Sequence, residues 1–184
     1  MKLFSHTRQQ LHNTEAQLRR WDPYLRSAVI TALVLLAYFL GYGLDELIPT
    51  HVTAAVIGAL WSAVTVLAVF KDQWPDTRSS FWSILSSGAV GAVAAMIYLV
   101  YVPPHMVSLA LVMGLSLLLS QLLGFADRGR QVVSTLLLIV IFSHLNSSAP
   151  WLNASMRLAE VVVGALVGLL GGYLLRFLPA MQSA

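Results

Sequence analysis

Two ionisable side chains, Arg157 and Glu160, lie near the start of the last long apolar stretch of the chain. They are three residues apart, so on a helix they share a face. A guanidinium binds carboxylates through paired hydrogen bonds, and an ionisable group inside an apolar span is a functional hypothesis by default. One interpretation makes Arg157 the anchor for an anion, with Glu160 as a competing partner or proton-linked switch. The other is an ion pair that neutralises both groups and holds the helix to a neighbour.

Three further residues are candidates for contact with a bound anion. Lys71 and Arg78 lie between the second and third apolar segments, where positive charge attracts anions, although most such charges only solvate a loop. Trp61 falls inside an apolar segment rather than at its edge, which indicates a core or cavity-lining ring.

Three histidines, His51, His105 and His144, map to segment ends on one side of the chain's predicted topology. Histidine titrates near physiological pH, so they could form a pH-sensing gate; solvated segment ends are the plain alternative. No spacing links them as metal ligands, and we predict no metal site. The chain has no cysteine, no nucleophile elbow and no phosphate-binding loop, so we predict neither an enzyme nor a cofactor.

The elements that must position these residues are apolar helices. The chain is 58% hydrophobic and 10% charged, whereas a soluble domain is about 25% charged. About 20 apolar residues cross a bilayer as a helix, because only a helix satisfies its own backbone there. Six segments meet or approach that length, the first four amply: Leu25–Leu47, Val52–Phe70, Ser80–Tyr101, His105–Phe125, Gln131–Leu145 and Ser155–Leu178.

The distribution of cations predicts the orientation. All but one of the 11 Lys and Arg residues fall on one side of these six segments, and Arg157 is the exception. Loops rich in Lys and Arg stay in the cytoplasm, so both termini are predicted to be inside. The net charge of +3 therefore reports topology rather than nucleic-acid binding.

The predicted domains follow from these segments. Residues 1–23 form a cytoplasmic amphipathic helix that lies on the inner leaflet or, alternatively, pairs subunits. Residues 24–178 form a transmembrane domain of six helices, and residues 179–184 form a cytoplasmic tail. The fold class is thus an all-α six-span bundle with an added amphipathic helix.

Small residues indicate an internal repeat. Gly88 and Gly91 belong to a ladder in the third segment, and Gly164 and Gly168 to one in the sixth. Such residues let helix backbones approach closely. Each ladder follows a cation, Arg78 or Arg157, which hints at a three-plus-three inverted repeat whose two ladders align only with a gap.

The stretch Gly58-Ala-Leu-Trp-Ser-Ala-Val-Thr-Val-Leu-Ala-Val-Phe70, then Arg78 and Ser87-Gly-Ala-Val-Gly-Ala92, resembles the membrane half of the fusaric acid resistance / aromatic acid exporter family. The family is related to the plant malate channels. Arg157-Leu-Ala-Glu160-Val-Val-Val-Gly164-Ala-Leu-Val-Gly168 is similar to its closing helix. The chain departs from the family pattern in having Lys71-Asp72 after the second segment. It also lacks the family's arginine next to the glycine ladder of the third segment, and the large cytoplasmic domain of the longer exporters.

The resemblance implies an inner-membrane transporter or channel-like permease that exports small, often aromatic, carboxylates. We expect a homo-oligomer in the lipid bilayer, with a small organic anion as substrate. The alternative is a membrane scaffold or accessory subunit that transports nothing and binds a partner through its glycine-rich helices.

Overall fold

The computed structural model describes residues 24–44, 46, 52–103, 105–122, 128–145 and 150–176. The predicted amphipathic helix over residues 1–23 and the tail over residues 179–184 lie outside these ranges. Within them the chain is all-helical and has no strand, which confirms the predicted fold class. The helices are α1 (Tyr24–Leu44), α2 (Val52–Val69), α3 (Trp74–Tyr101), α4 (Met106–Leu122), α5 (Gly129–Leu145) and α6 (Pro150–Leu175).

Among the described residues, three helices are long and apolar enough to cross a membrane: α1, α3 and α6. Helices α2, α4 and α5 are apolar but shorter. Residues 47–51 before α2 and 123–127 after α4 lie outside the described ranges, so the ample length expected of these two segments stays a prediction. Large apolar side chains such as Leu60, Val64 and Leu67 are exposed in a stripe along α2, and lipid would cover such a face.

Proline and extended residues mark where α3 begins and ends. Gln73 is extended and Pro75 lies in the first turn, where its missing N–H costs nothing. Val102 is extended because the following Pro103 disfavours helical conformation there. Helix α3 therefore begins six residues before the predicted segment, and Arg78 lies within the helix rather than in a loop.

Helix α6 is the centre of the bundle. It packs against α2 and α3 along most of its length and also contacts α5, while α3 packs against α5, and α5 against α4. Helix α1 closes the bundle on the other side, where Leu33 lies against Gly171 and Gly41 lies against Ser62. Half of the most apolar stretch of α6 is buried, the largest share among the three long helices.

Two glycines make equivalent contacts in the two halves of the chain. Gly91 on α3 lies against the Val132 carbonyl and Thr135 of α5. Gly164 on α6 lies against the Ser62 carbonyl and Thr65 of α2. In both places a Cβ would collide with backbone, so only glycine allows the approach.

This correspondence extends along the helices. The separation that links Gly91 to Gly164 also links Gly88 to Val161, and those two residues contact each other where α3 crosses α6. Ala92 and Ala95 correspond to Ala165 and Gly168 in the same way. The partners of these glycines, Thr65 on α2 and Thr135 on α5, are 70 positions apart, whereas Gly91 and Gly164 are 73 apart. We call this pairing of α3 with α6 at one separation, and of α2 with α5 at the other, the repeat register.

The contacts agree with a three-plus-three inverted repeat. Helix α3 runs antiparallel to α6, because Thr77 near its start contacts Gly172 near the end of α6. The repeat register pairs Gly91 with Gly164 and Ala92 with Ala165 but Gly88 with Val161, so the expectation that the ladders align only with a gap stays a prediction. It also places Arg157 at the position of Ile84 rather than Arg78, so the two arginines are not equivalent.

Candidate functional site

Helix α6 begins earlier than its apolar pattern indicated, and this changes the depth of the ion pair. Pro150 is the first helical residue, a position that proline favours because its fixed φ suits the helix. Arg157 and Glu160 consequently lie about two and three turns inside the helix. The expectation that they occupy its first turn is wrong.

Arg157 and Glu160 are bonded to each other in the interior. The Arg157 Nη1 donates to Glu160 Oε2 at 2.6 Å, and the two side chains are 5% and 0% exposed. The guanidinium carbon also lies 4.6 Å from the centre of the Phe142 ring of α5, a cation–π contact. In this conformation the pair therefore neutralises itself and ties α6 to α5.

The backbone at Glu160 is held from the opposite side. The Ser62 Oγ of α2 donates to the Glu160 carbonyl oxygen at 3.0 Å. Ser62 is fully buried beneath Gly41 and Gly164, where α1, α2 and α6 meet. The charged pair is thus fixed between α5 and α2, and its position is set by close helix packing.

A polar cavity of about 190 Å³ lies at the end of the bundle where α2 ends and α3 and α5 begin. We call it the basic cavity. Among the described residues, its lining contains two cations, an amide, three hydroxyls and no carboxylate: Lys71, Arg128, Gln131, Ser80, Ser83 and Ser87, with Ala68 and Ile84. Every charged group that these residues contribute is positive, so they favour an anion.

The turn between α2 and α3 fixes the position of Lys71. The Lys71 N–H donates to Thr77 Oγ1 at 3.0 Å, and the same hydroxyl lies 3.1 Å from the Lys71 carbonyl, to which it donates. Thr77 is fully buried against Gly172 of α6. The backbone of Lys71 is therefore held at the mouth of the basic cavity while its side chain stays exposed.

A second cavity, of about 350 Å³, lies between the same turn and the end of α6. Asp72 and Arg176 both line it, together with Trp74, Pro75 and other residues of the turn. Asp72 also forms an exposed ion pair with Arg26 of α1. Because this cavity contains charges of both signs, it offers no clear selection for anions.

The structure separates the residues that the sequence singled out as binding groups. Lys71 lines the basic cavity, whereas Arg78 is exposed on α3 and lines neither of the two cavities. Trp61 is partly buried and packs against the apolar cluster that includes Phe81 and Val161. Neither cavity includes Trp61 or the Arg157–Glu160 pair.

Sequence reasoning missed Arg128, Gln131 and the cavity serines as binding groups. Arg128 was interpreted only as a determinant of topology, and Ser83 and Ser87 only as small residues for helix packing. A signal did exist, because Arg128 and Gln131 are three apart at the start of α5 and so share a face. Their convergence with Lys71 depends on how α2, α3 and α5 meet.

Of the three histidines, His51 lies outside the described residues. His105 is exposed just before α4, and the His144 Nδ1 lies 2.8 Å from the Val140 carbonyl oxygen near the end of α5. In the part of the chain that the structure describes, no group of three or more His, Asp or Glu side chains could hold a metal ion. The gating role of the histidines stays a prediction.

The apolar helices and their close glycine contacts are typical of an integral membrane protein. The fusaric acid resistance protein-like family matches residues 59–171, and the chain belongs to this family of membrane transporters and exporters. The match begins within α2 and ends near the close of α6. No curated protein and no solved structure matches the chain.

Proposed function

We propose that the protein exports small organic anions, and that the basic cavity is where the anion first binds. The observation that carries this proposal is the convergence of Lys71 and Arg128 in a cavity to which the described residues contribute no carboxylate. A carboxylate placed there meets two cations and the donor groups of Gln131 and the serines. Partial enclosure strengthens these interactions relative to bulk water.

The size of the basic cavity limits the substrate. Its volume of about 190 Å³ is below the range of roughly 300–1,000 Å³ that encloses drug-sized ligands. It therefore suits a small carboxylate or the charged end of a longer one. Ala68 and Ile84 supply an apolar wall for the body of such a molecule, and an aromatic acid is the substrate class that family membership favours.

The same proposal places the protein in the bacterial inner membrane with both termini in the cytoplasm. The bundle end that holds the basic cavity also holds Arg26, Arg78, Arg130 and Arg176. An excess of cations favours the cytoplasmic side, so the cavity faces the cytoplasm, from which an exported anion would enter. A homo-oligomer would supply enclosure that one six-helix unit lacks.

Purified protein in liposomes would test this function. Radiolabelled phthalate is a suitable probe because it is an aromatic dianion that crosses bare lipid slowly. We expect uptake into vesicles preloaded with unlabelled phthalate, and an affinity about tenfold lower in Lys71→Gln and in Arg128→Gln, since each removes a charged hydrogen bond. Arg130→Gln is the matched control, because Arg130 is exposed on α5 and lines neither cavity.

Two results would contradict the proposal. Equal affinity for phthalate in all three variants would show that the basic cavity does not bind the transported anion. Absence of flux for phthalate and for aliphatic dicarboxylates, together with co-purification of a partner at fixed stoichiometry, would favour the scaffold alternative.

A further inference from the structure

The repeat register relates the basic cavity to the ion pair. Ser87, at the deep end of the cavity, corresponds to Glu160, and Ile84 corresponds to Arg157. Gln131 corresponds to Trp61. Glu160, Arg157 and Trp61, which the sequence singled out, are therefore the counterparts in the other half of the protein of three residues that line the basic cavity.

We call this second set of places the mirrored position. Its α6 residues correspond to the four α3 residues of the cavity lining and are Asn153, Met156, Arg157 and Glu160. Gly58 and Trp61 belong to it from α2, as counterparts of Arg128 and Gln131, and Leu138 and Ile141 from α5, as counterparts of Ala68 and Lys71.

The mirrored position is closed in this structure. Its four α6 residues are each at most 7% exposed. The Asn153 Nδ2 donates to Ser143 Oγ at 3.2 Å, and Phe142 covers the Arg157 guanidinium. One half of the protein thus holds a cavity open to the basic end, whereas the α6 residues at the equivalent place in the other half are buried.

Inverted repeats make the opposite arrangement accessible. Because the helix contacts of one half recur in the other, a conformation in which the halves exchange their arrangements preserves most packing. In that conformation the basic cavity closes and the mirrored position opens. The main local change is separation of Arg157 from Glu160, since that ion pair has no equivalent among the cavity residues.

Resting on the proposed function, we propose that the Arg157–Glu160 pair is the closed outer gate of a second anion site. When the gate opens, Arg157 and Asn153 bind the carboxylate that Lys71 and Arg128 bound on the other side. A carboxylate on Arg157 takes the place of the Glu160 oxygen that accepts from Nη1, so substrate competes directly with the gate. The two sites are alternately accessible, one from each end of the bundle.

Cysteine accessibility tests this gate without any substrate, because the natural chain has no cysteine. Ser83→Cys reports on the basic cavity, and Met156→Cys reports on the mirrored position at the equivalent place. A membrane-impermeant maleimide is applied to each side of the reconstituted protein in turn. In the natural background we expect Ser83→Cys to react from one side and Met156→Cys to be protected from both.

Adding Glu160→Gln should weaken the gate. We expect labelling of Met156→Cys to rise about tenfold. This labelling should come from the side of the membrane opposite to the side that labels Ser83→Cys. Labelling of Ser83→Cys should fall by a similar factor. Ala165→Cys, at a fully buried place on the same helix, should stay protected and so controls for general loosening. The apolar replacement Arg157→Met with Glu160→Leu should keep Met156→Cys protected, because packing is retained.

Each outcome either supports or overturns the proposal. A rise in the labelling of Met156→Cys together with a fall in the labelling of Ser83→Cys supports the gate. A rise in the labelling of Met156→Cys with no fall in the labelling of Ser83→Cys overturns alternate access. Labelling of Ala165→Cys to the same extent as Met156→Cys also overturns it. Protection of Met156→Cys in all backgrounds overturns the second site. None of these results depends on phthalate, so a failure of the gate is distinct from a failure of the proposed substrate class.

Discussion

Gly91 on α3 and Gly164 on α6 make the same contact with different helices, each against a carbonyl and a threonine one turn further along the partner. The two glycines fix how closely α3 approaches α5 and α6 approaches α2. They therefore set the relative rotation of the helices that bear the basic cavity and the ion pair.

Substitution of these glycines should separate the helix pairs. In Gly164→Ala the new Cβ meets the Ser62 carbonyl, which is backbone and cannot move aside, and Gly91→Ala meets the Val132 carbonyl in the same way. We expect each to lower stability by about 1–3 kcal/mol, as overpacking does. Thermal unfolding in detergent measures this.

Gly114→Ala is the matched control, because Gly114 on α4 has open space around it. Replacing an unhindered helical glycine should raise stability by up to about 1 kcal/mol. If all three variants lose stability equally, close approach is not the reason for Gly91 and Gly164.

Removing one partner of the buried ion pair should cost more than removing both. Arg157→Gln or Glu160→Gln removes one charge of a buried ion pair, and we expect a loss of about 3–5 kcal/mol in unfolding free energy. The double replacement Arg157→Met with Glu160→Leu should recover most of the loss, since apolar residues of similar volume fit such sites. The unfolding free energies of the two single variants and the double variant, measured with a denaturant, complete a double-mutant cycle. Additive losses would show that the two groups act independently.

Thr65 and Thr135 correspond in the repeat register but differ in hydrogen bonding. The Thr65 Oγ1 donates to the Trp61 carbonyl oxygen at 2.8 Å. The Thr135 Oγ1 is buried and has no partner among the described residues. An unpaired buried hydroxyl costs about 1–3 kcal/mol, so Thr135→Val should raise the melting temperature by a few degrees. Thr65→Val should leave it unchanged or lower it. A larger gain in Thr65→Val than in Thr135→Val would contradict this.

The Arg26–Asp72 ion pair should contribute little to stability. Its side chains are 47% and 62% exposed, so water screens the attraction. We expect Asp72→Asn to change the unfolding free energy by less than about 1 kcal/mol. Asp76→Asn, in the first turn of α3, removes the same charge without touching this pair and is the comparison. A loss of several kcal/mol specific to Asp72→Asn would show that the pair holds α1 to the bundle.

The sequence predicted the helices better than the site. The apolar segments placed all six helices, because backbone groups in a hydrocarbon setting must bond within a helix. The sequence predicted the ends of the helices less well. The residues before Ser80 and the polar stretch before Arg157 are helical although they are not apolar, so α3 and α6 begin earlier than predicted. The early starts of α3 and α6 moved Arg78 out of a loop and Arg157 into the interior.

The sequence by itself determined the all-helical class, the membrane setting and the family, since apolarity and small-residue spacing are properties of the chain read in order. The spacing of Arg157 and Glu160 left open an ion pair or an anion anchor, and the tertiary structure decided that the pair forms and is buried against Phe142. It also decided that Lys71 shares a cavity with Arg128. Which polar groups face one another depends on the rotation of each helix about its axis. Contacts between distant segments set that rotation, notably Gly91 on Val132 and Gly164 on Ser62, and no local pattern encodes it.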